Sequence, residues 1–348
     1  MDIEQILMLA SAERVDEVIP APAGVAYLTY RVPDYPYAGN GRVGLHAICD
    51  QGEVLFVDCG PANMTDKSWF SQVIDELADS VDQVGLFMTH CHCDHVGEAA
   101  WFARQGVKGC ISGKSAIFGS MDADACNRAF GSVKSNLPLG VGEYCTMQKE
   151  LWESLDFAAK VEDWDLLTCG DRRFEVMPLP GHASGHCGLL SKDKTLLFSG
   201  DALCQNPPVF SLGIDQHDAA AAMECFSSLL CYPLQWVVTS HEGFLEGEGQ
   251  IRHFIKEQIA GIDAKARRVL DILHEMRGYK SAYGYLLELK GEDGLIAAAQ
   301  RGRFLNVLSL AHYLAFLEFL YDYEKVNRNL DDDGCAVYEP ARYVRYFA

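Results

Sequence analysis

The segment Thr89-His90-Cys91-His92-Cys93-Asp94-His95 places three imidazoles and one carboxylate within six residues. Imidazole nitrogens and carboxylate oxygens are common ligands of transition metals. A lone histidine is most often structural, whereas four ligand-type side chains this close together indicate a metal site. One residue separates His90 from His92, so their rings can converge, while the following turn directs Asp94 and His95 elsewhere. The spacing therefore predicts two neighbouring metal ions.

Strand and helix patterns predict how the metal-ligating residues are positioned. The apolar run Val84-Gly85-Leu86-Phe87-Met88 precedes the histidine segment and is typical of a strand, and the run after Gly97 is helix-like. Three later segments offer one further ligand each: His182 in a glycine-rich turn, and Asp201 and His241 at the ends of two apolar strands. Loops on rigid elements commonly carry catalytic residues.

Taken in order, a H-x-H-x-D-H motif followed by His, Asp and His resembles the metallo-beta-lactamase superfamily over about residues 20–250. The resemblance implies an α/β fold, a four-layer αββα sandwich. It also implies that His90, His92 and His182 hold a first metal and that Asp94, His95 and His241 hold a second, with Asp201 bridging the two. His92, where the flavodiiron branch has Glu, favours hydrolysis, and Asp201 disfavours the lactam-cleaving branch that uses a cysteine ligand.

The implied chemistry is hydrolysis. Two divalent cations about 3.5 to 4 Å apart share a water, lower its pKa and hold it as a bridging hydroxide for attack on an ester-like carbonyl. Asp94 is then expected to be catalytic, relaying the proton of the nucleophile towards the leaving group. Asp58 matches a strand-end aspartate of the family that orients a histidine ligand, although a turn aspartate before Gly60 is an equally good interpretation.

An early hairpin is the predicted source of substrate contacts. Strands near residues 25–32 and 45–49 flank a loop rich in Pro, Tyr and Gly. In the family such a hairpin overhangs the site, which implies that Tyr35 and Tyr37 touch substrate. An ordinary surface loop with Asn40-Gly41 as its turn is the alternative.

Length and composition indicate two domains. The chain has 348 residues, of which 49% are hydrophobic and 22% charged, so it can bury a large core. We expect a catalytic domain over 1–250 and a mainly helical domain over 251–348. No apolar run reaches the roughly 18 residues that span a bilayer, and the acidic start is unlike a signal peptide, so we expect a cytoplasmic protein without a membrane partner. Thirteen scattered cysteines indicate reduced thiols, and Cys91 and Cys93, which alternate with the ligands, should point away from the metals.

The charge disfavours nucleic acid as a partner. The net charge of −20 falls entirely within residues 1–250, where 35 acidic residues outnumber 15 basic ones. Such a domain repels a polyanion except at the metals themselves. After residue 251, helical patterns followed by a hairpin resemble the winged-helix-like tail of some superfamily hydrolases, including the beta-lactamase-like protein 2 group. Its neutral charge and an aromatic-rich helix over 304–323 favour packing on the catalytic domain or on the partner in a homodimer.

Three functions from different classes fit the sequence. The leading hypothesis is a dinuclear hydrolase, with zinc expected and iron or manganese as alternatives, that cleaves a small-molecule ester, foremost a thioester as in glyoxalase II. The second is a redox enzyme similar to persulfide dioxygenases, which use one iron held by two histidines and an aspartate. The third is a regulatory or nucleic-acid-binding protein with incidental hydrolase activity.

Overall fold

The computed structural model describes the chain over nine ranges, with the first two, Arg42, Glu76 and Leu77 described by their backbone. These ranges are 15–20, 25–31, 42–62, 64, 67–203, 218–241, 243–276, 278–302 and 304–341. Tyr35 and Tyr37, the predicted substrate contacts, lie outside the described residues.

The first sheet has seven strands in sequence order. They are β1 (Val15–Pro20), β2 (Val25–Arg31), β3 (Arg42–Asp50), β4 (Glu53–Val57), β5 (Val84–Met88), β6 (Lys108–Ser112) and β7 (Ala159–Val161). Strands β1 to β4 pair antiparallel, and β4 to β7 pair parallel. Gln51 and Gly52 connect β3 to β4 with φ angles of 51° and 76°, the backbone that a two-residue hairpin turn requires. The predicted strands near residues 25–32 and 45–49 are thus present as β2 and β3.

The second sheet has six strands. They are β8 (Leu166–Cys169), β9 (Arg172–Pro178), β10 (Cys187–Ser191), β11 (Leu196–Gly200), β12 (Trp236–Thr239) and β13 (Phe244–Glu246), in the order β13-β12-β11-β10-β9-β8. Strands β11 and β12 run parallel and so end at the same edge, while the other neighbours pair antiparallel.

Nine α-helices and a terminal hairpin complete the described elements. The helices are α1 (Ser68–Leu77), α2 (Cys93–Val96), α3 (Ala99–Arg104), α4 (Ala123–Phe130), α5 (Val141–Glu153), α6 (Ala219–Leu229), α7 (Glu248–Glu275), α8 (Ala282–Arg301) and α9 (Leu305–Asp322). Two 3-10 helices span Val81–Gln83 and Gly113–Ser120, and the hairpin pairs β14 (Val326–Leu330) with β15 (Ala336–Pro340).

Alternation along the strands creates the layers. In β4, Leu55 and Val57 face a core that lies between the two sheets and includes Phe174 and Phe198. The intervening Phe56 faces a second core, shared with helices. Because each sheet buries one face on the other sheet and one face under helices, the molecule is the four-layer αββα sandwich that the sequence predicted.

The C-terminal helices share the helix-side core. Buried apolar residues of α7, α8 and α9 belong to the same cluster as those of the first sheet and its helices. A polar link reinforces this packing, because the Asn306 side chain on α9 donates to the carbonyls of Leu295 at 2.9 Å and Pro138 at 3.3 Å. The predicted order of three helices and a hairpin is present. Helix α7 begins at Glu248, and the division at residue 250 and the winged-helix likeness remain predictions.

Among the helices that the structure describes, no single one is both long and apolar enough to cross a membrane. Helices α8 and α9 meet that test as a pair, on length and composition, and are bent by 120° at their junction.

Candidate metal centre

Strand ends place the predicted ligands together. His90 lies two residues beyond β5, Asp201 follows β11 directly, and His241 lies two residues beyond β12. The two sheets meet at this edge, since the Cys187 N–H at the start of β10 donates to the Thr89 carbonyl at 2.9 Å. Asp94 and His95 lie on the short helix α2 and not in the loop itself. All seven predicted ligands are therefore gathered at one edge of the sandwich.

Three histidines form the first group of candidate ligands. His90 Nε2 and His182 Nε2 each lie 3.0 Å from His92 Nδ1. Burial, reinforced by neighbouring histidines, holds the pKa of both His90 and His92 well below the ordinary value, which favours neutral rings. Three imidazole nitrogens that converge are the donor set that binds a transition metal.

Asp94, His95 and His241 form the second group. Asp94 Oδ2 lies 3.6 Å from His95 Nε2 and 3.5 Å from His241 Nε2. Burial alone would lower the pKa of His95, but the carboxylates of Asp201, Asp94 and Asp58 outweigh it and raise that pKa well above the ordinary value. Two imidazoles and a carboxylate in this arrangement can also hold a metal ion.

Asp201 lies between the two groups. One carboxylate oxygen is 3.4 Å from His95 Nε2, and the other is 3.5 Å from His182 Nε2 and 3.1 Å from His241 Nε2. Burial opposes the charge of this carboxylate, yet His241 and His95 hold its pKa well below the ordinary value. Burial also lowers the pKa of His241, but the Asp201 carboxylate outweighs this effect and raises that pKa to about 9. The side chain can thus contact cations held by either group.

Two buried atoms show that this site suits a cation. His95 Nε2 and Asp201 Oδ1 have no hydrogen-bond partner among the described residues, although they are buried and 3.4 Å apart. Leaving such buried atoms without a hydrogen bond is costly. A cation about 2.0 to 2.2 Å from each ligand atom would satisfy both of them. The residues present therefore fit divalent metal ions.

Asp58 contacts the ring nitrogen of His95 that faces away from the other candidate ligands. Its Oδ2 lies 2.8 Å from His95 Nδ1, and its Oδ1 accepts the Thr89 backbone N–H at 2.8 Å. With Nδ1 facing Asp58, the His95 ring directs Nε2 towards Asp94 and Asp201. Asp58 is fully buried and has a φ angle of 61°, a left-handed conformation that aspartate tolerates better than most residues.

The structure also brings a histidine into the site that the sequence did not assign there. His186 is buried, and its ring centroid lies 4.7 Å from that of His90. Burial and the neighbouring His182 hold its pKa well below the ordinary value. A glycine-rich turn was the available signal, but a turn residue and a site residue look alike in sequence. Phe118 contributes an apolar wall, with its ring 6.2 Å from that of His92.

The cysteines within the motif lie apart from the candidate ligand groups. Cys91 is buried in the helix-side core, and burial raises its pKa to about 12. Neither Cys91 nor Cys93 belongs to a candidate ligand group among the described residues. This agrees with the prediction that their side chains point away from the metals.

Similar proteins share part of this sequence. The human acyl-coenzyme A thioesterase MBLAC2 is 29% identical over 122 residues, 33% of this chain and 39% of that protein. Hydroxyacylglutathione hydrolase GloC of Haemophilus influenzae is 28% identical over 123 residues, 34% of this chain and 50% of that protein. The alignments thus span half or less of these relatives.

Solved structures match over nearly the whole chain. A beta-lactamase domain protein from Burkholderia ambifaria has a TM-score of 0.72 at 22% identity and covers 93% of this chain and 94% of its own. A metallo-beta-lactamase family protein from Thermus thermophilus has a TM-score of 0.70 at 21% identity, covering 91% and 98%. These likenesses establish the fold, including most of the C-terminal helices.

The family model of the metallo-beta-lactamase superfamily matches residues 46–241. This range is more than half of the chain and contains all seven predicted ligands. The chain belongs to the metallo-beta-lactamase superfamily.

Proposed function

We propose that this protein is a dinuclear metal-dependent hydrolase that cleaves a small thioester. The observation that carries the proposal is the position of Asp201, whose two carboxylate oxygens face His182 of the first group and His95 and His241 of the second. A mononuclear site would require only a subset of these side chains. The presence of the second group therefore favours the dinuclear hydrolase over the iron-dependent redox alternative.

The protein would hold the first cation with His90, His92 and His182, and the second with Asp94, His95 and His241. Bound divalent metals supply a water of lowered pKa and polarise the carbonyl of the substrate. The chain contributes the geometry: Asp58 fixes the His95 ring, and Asp201 spans both groups. Asp94, whose Oδ2 faces His95 and His241, accepts the proton of the attacking water.

The leaving group supports the choice of a thioester. A thiol has a pKa of about 8.5, so it departs readily as a thiolate near neutral pH. Asp94 serves as the proton acceptor in this site. A thiolate leaving group does not need a strong acid to protonate it as it departs. One similar protein is named an acyl-coenzyme A thioesterase and another a hydroxyacylglutathione hydrolase. We therefore propose acyl thioesters as the substrate class and small molecules, not nucleic acids, as the partners.

Metal content per chain tests the cofactor. We expect two divalent ions per chain after anaerobic purification or reconstitution, measured by elemental analysis. A single iron per chain, with oxygen uptake on persulfides, would instead establish the redox alternative. Protein that stays metal-free after reconstitution with zinc, manganese and iron would rule out both functions.

Substrate class is tested on the metal-loaded protein with matched acyl donors. We expect turnover of acyl-coenzyme A or S-acylglutathione thioesters, and much slower turnover of oxygen esters with the same acyl group. Equal rates on both series would contradict thioester preference while leaving hydrolysis intact.

Two variants test the ligand assignment. His92→Ala removes the nitrogen at the centre of the first group, and Asp201→Ala removes the carboxylate between the groups. We expect turnover to be abolished in both, with a near-native circular dichroism spectrum. Full activity in either folded variant would refute the assignment.

A further inference from the structure

His186 is a buried histidine that lies within the site but outside the three candidate ligand groups of the described residues. Its backbone closes the turn that carries His182. The His186 N–H donates to the Ala183 carbonyl at 3.1 Å, and its carbonyl accepts the Leu179 N–H at 3.0 Å. The position of the His182 loop therefore depends on this residue.

The side chain of His186 reaches a second loop. The backbone N–H of Asp201 donates to His186 Nε2 at 3.1 Å. Since an accepting ring nitrogen carries no hydrogen, the ring proton lies on Nδ1. Nδ1 is buried and has no hydrogen-bond partner among the described residues. The hydrogen bond to Asp201 is thus the polar contact that fixes this ring.

Gly200 makes this approach possible. It has a φ angle of 53°, and a Cβ built on it would lie 2.7 Å from His186 Nε2 and 3.0 Å from Thr89 Cβ. A side chain at this position would displace the ring that holds the Asp201 amide. Because Gly200 at the end of β11 has no side chain, the His186 ring has room to lie next to the backbone of Asp201.

We infer that His186 is a positioning residue, which joins the His182 turn to the Asp201 backbone and so sets the direction in which the Asp201 carboxylate points. The inference rests on the proposed metal-binding function and adds a residue to it. Groups that orient metal ligands typically affect metal affinity about 10- to 100-fold. His186 contacts neither substrate nor metal in this role.

The test compares substitutions at position 186 that keep or remove the acceptor. The side-chain oxygen of glutamine occupies nearly the position of Nε2, whereas asparagine is too short and leucine has no acceptor. We expect His186→Gln to bind zinc within about 3-fold of the unaltered protein, and His186→Asn and His186→Leu to bind about 10- to 100-fold more weakly. Zinc affinity is measured by competition with a chromophoric chelator on the full chain. Comparable affinity in the Gln, Asn and Leu variants would overturn the inference.

A control substitution separates local from general effects. His312 is a half-buried histidine on α9, where burial lowers its pKa to about 3. We expect His312→Leu to leave zinc affinity unchanged, whatever it does to thermal stability. A loss in this variant equal to that of His186→Leu would show that the effect at His186 is not specific, and would overturn the inference.

The tautomer gives a readout that requires no metal. In long-range proton–nitrogen spectra of the metal-free protein, His186 should show a protonated Nδ1 and an unprotonated Nε2. A protonated Nε2 would overturn the inference. Failure of the unaltered protein to bind metal would refute the proposed function, and the tautomer would still decide whether His186 holds the Asp201 amide.

Discussion

At the scale of single residues, the site depends on the residues that orient the candidate metal ligands as much as on those ligands themselves. Three groups form hydrogen bonds to Asp58 at 2.8 to 3.0 Å: the Thr89 amide, the Thr89 hydroxyl and the ring of His95. Its carboxylate is fully buried, so water does not compete for the hydrogen bond that orients the His95 ring. A fixed ring orientation is what a metal ligand needs.

Substituting Asp58 by Asn tests this contact. Asparagine tolerates the left-handed backbone as aspartate does, so the change removes the charge without adding backbone strain. We expect zinc affinity to fall about 10- to 100-fold, because the negative partner of His95 Nδ1 is lost. Chelator competition measures this, and calorimetry reports any accompanying loss of stability.

The matched control for that experiment is Asp193→Asn. Asp193 is an exposed aspartate in the turn between β10 and β11, where it accepts hydrogen bonds from Ser191 and Thr195. This turn precedes β11, so it lies at the opposite end of that strand from Asp201. Zinc affinity should be unaffected. If Asp58→Asn behaves like Asp193→Asn, then Asp58 does not orient a ligand.

At the scale of elements, a close backbone approach positions α2. Gly97 ends this helix, and a Cβ built there would lie 2.0 Å from the Ala62 backbone nitrogen and 2.5 Å from the Cys93 carbonyl oxygen. Glu98 reinforces the contact by accepting the Met64 N–H at 2.7 Å. The helix that carries Asp94 and His95 therefore packs directly on the loop after β4, which carries Asp58.

Replacing Gly97 by Ala should force these segments apart. Its backbone is helical and suits alanine, so the cost arises from the collision alone, and we expect a loss of about 3 kcal/mol in unfolding free energy. Zinc affinity should fall as well, since Asp94 and His95 move with the helix. Urea unfolding and chelator competition measure the two effects.

Gly142→Ala is the companion variant. Gly142 lies in the first turn of α5, with no atom within 4 Å of a built Cβ. Alanine is the better helix former there, so stability should stay constant or rise by up to about 1 kcal/mol. Equal effects at both glycines would show that the close approach at Gly97 is not important.

The elements also show which parts of the structure could be predicted from the sequence. The motif, the strands before it and the strand ends at Asp201 and His241 follow local patterns, so their placement was predictable. The family resemblance indicated that Asp58 orients a histidine ligand but not which one, and the contact between His186 and Asp201 was not predictable. Both contacts join residues distant in sequence whose burial arises only when the sheets pack. The sequence predicted that the C-terminal helices pack either on the catalytic domain or on a homodimer partner, and their burial in the core shared with the first sheet depends on tertiary packing.

At the scale of the whole molecule, the shared core implies a single cooperative unit. Phe316 on α9 is fully buried in the cluster that also contains Phe56 and Phe102 beside the first sheet. The five tryptophans are Trp69, Trp101, Trp152, Trp164 and Trp236, all before the C-terminal helices. Tryptophan fluorescence therefore reports on the sheets and the helices that precede α7, while circular dichroism also reports on α7, α8 and α9.

Truncating Phe316 to Ala uses this separation of signals. We expect a loss of about 3 to 5 kcal/mol in unfolding free energy, with the same shift in urea midpoint by fluorescence and by circular dichroism. Leu330→Ala, at a residue 68% exposed in the terminal hairpin, should shift neither. A fluorescence midpoint that stays constant in Phe316→Ala would show that the sheets unfold independently of α9.

The candidate ligands come from four segments spread from His90 to His241. Metal held by these groups would act as a reversible cross-link between distant parts of the chain. A molecule cut by a protease between Asp201 and His241 should then migrate as one particle while loaded, and its two fragments should hold together more weakly after chelation. The metal centre would thus hold the two fragments of a cleaved chain together, in addition to its catalytic role.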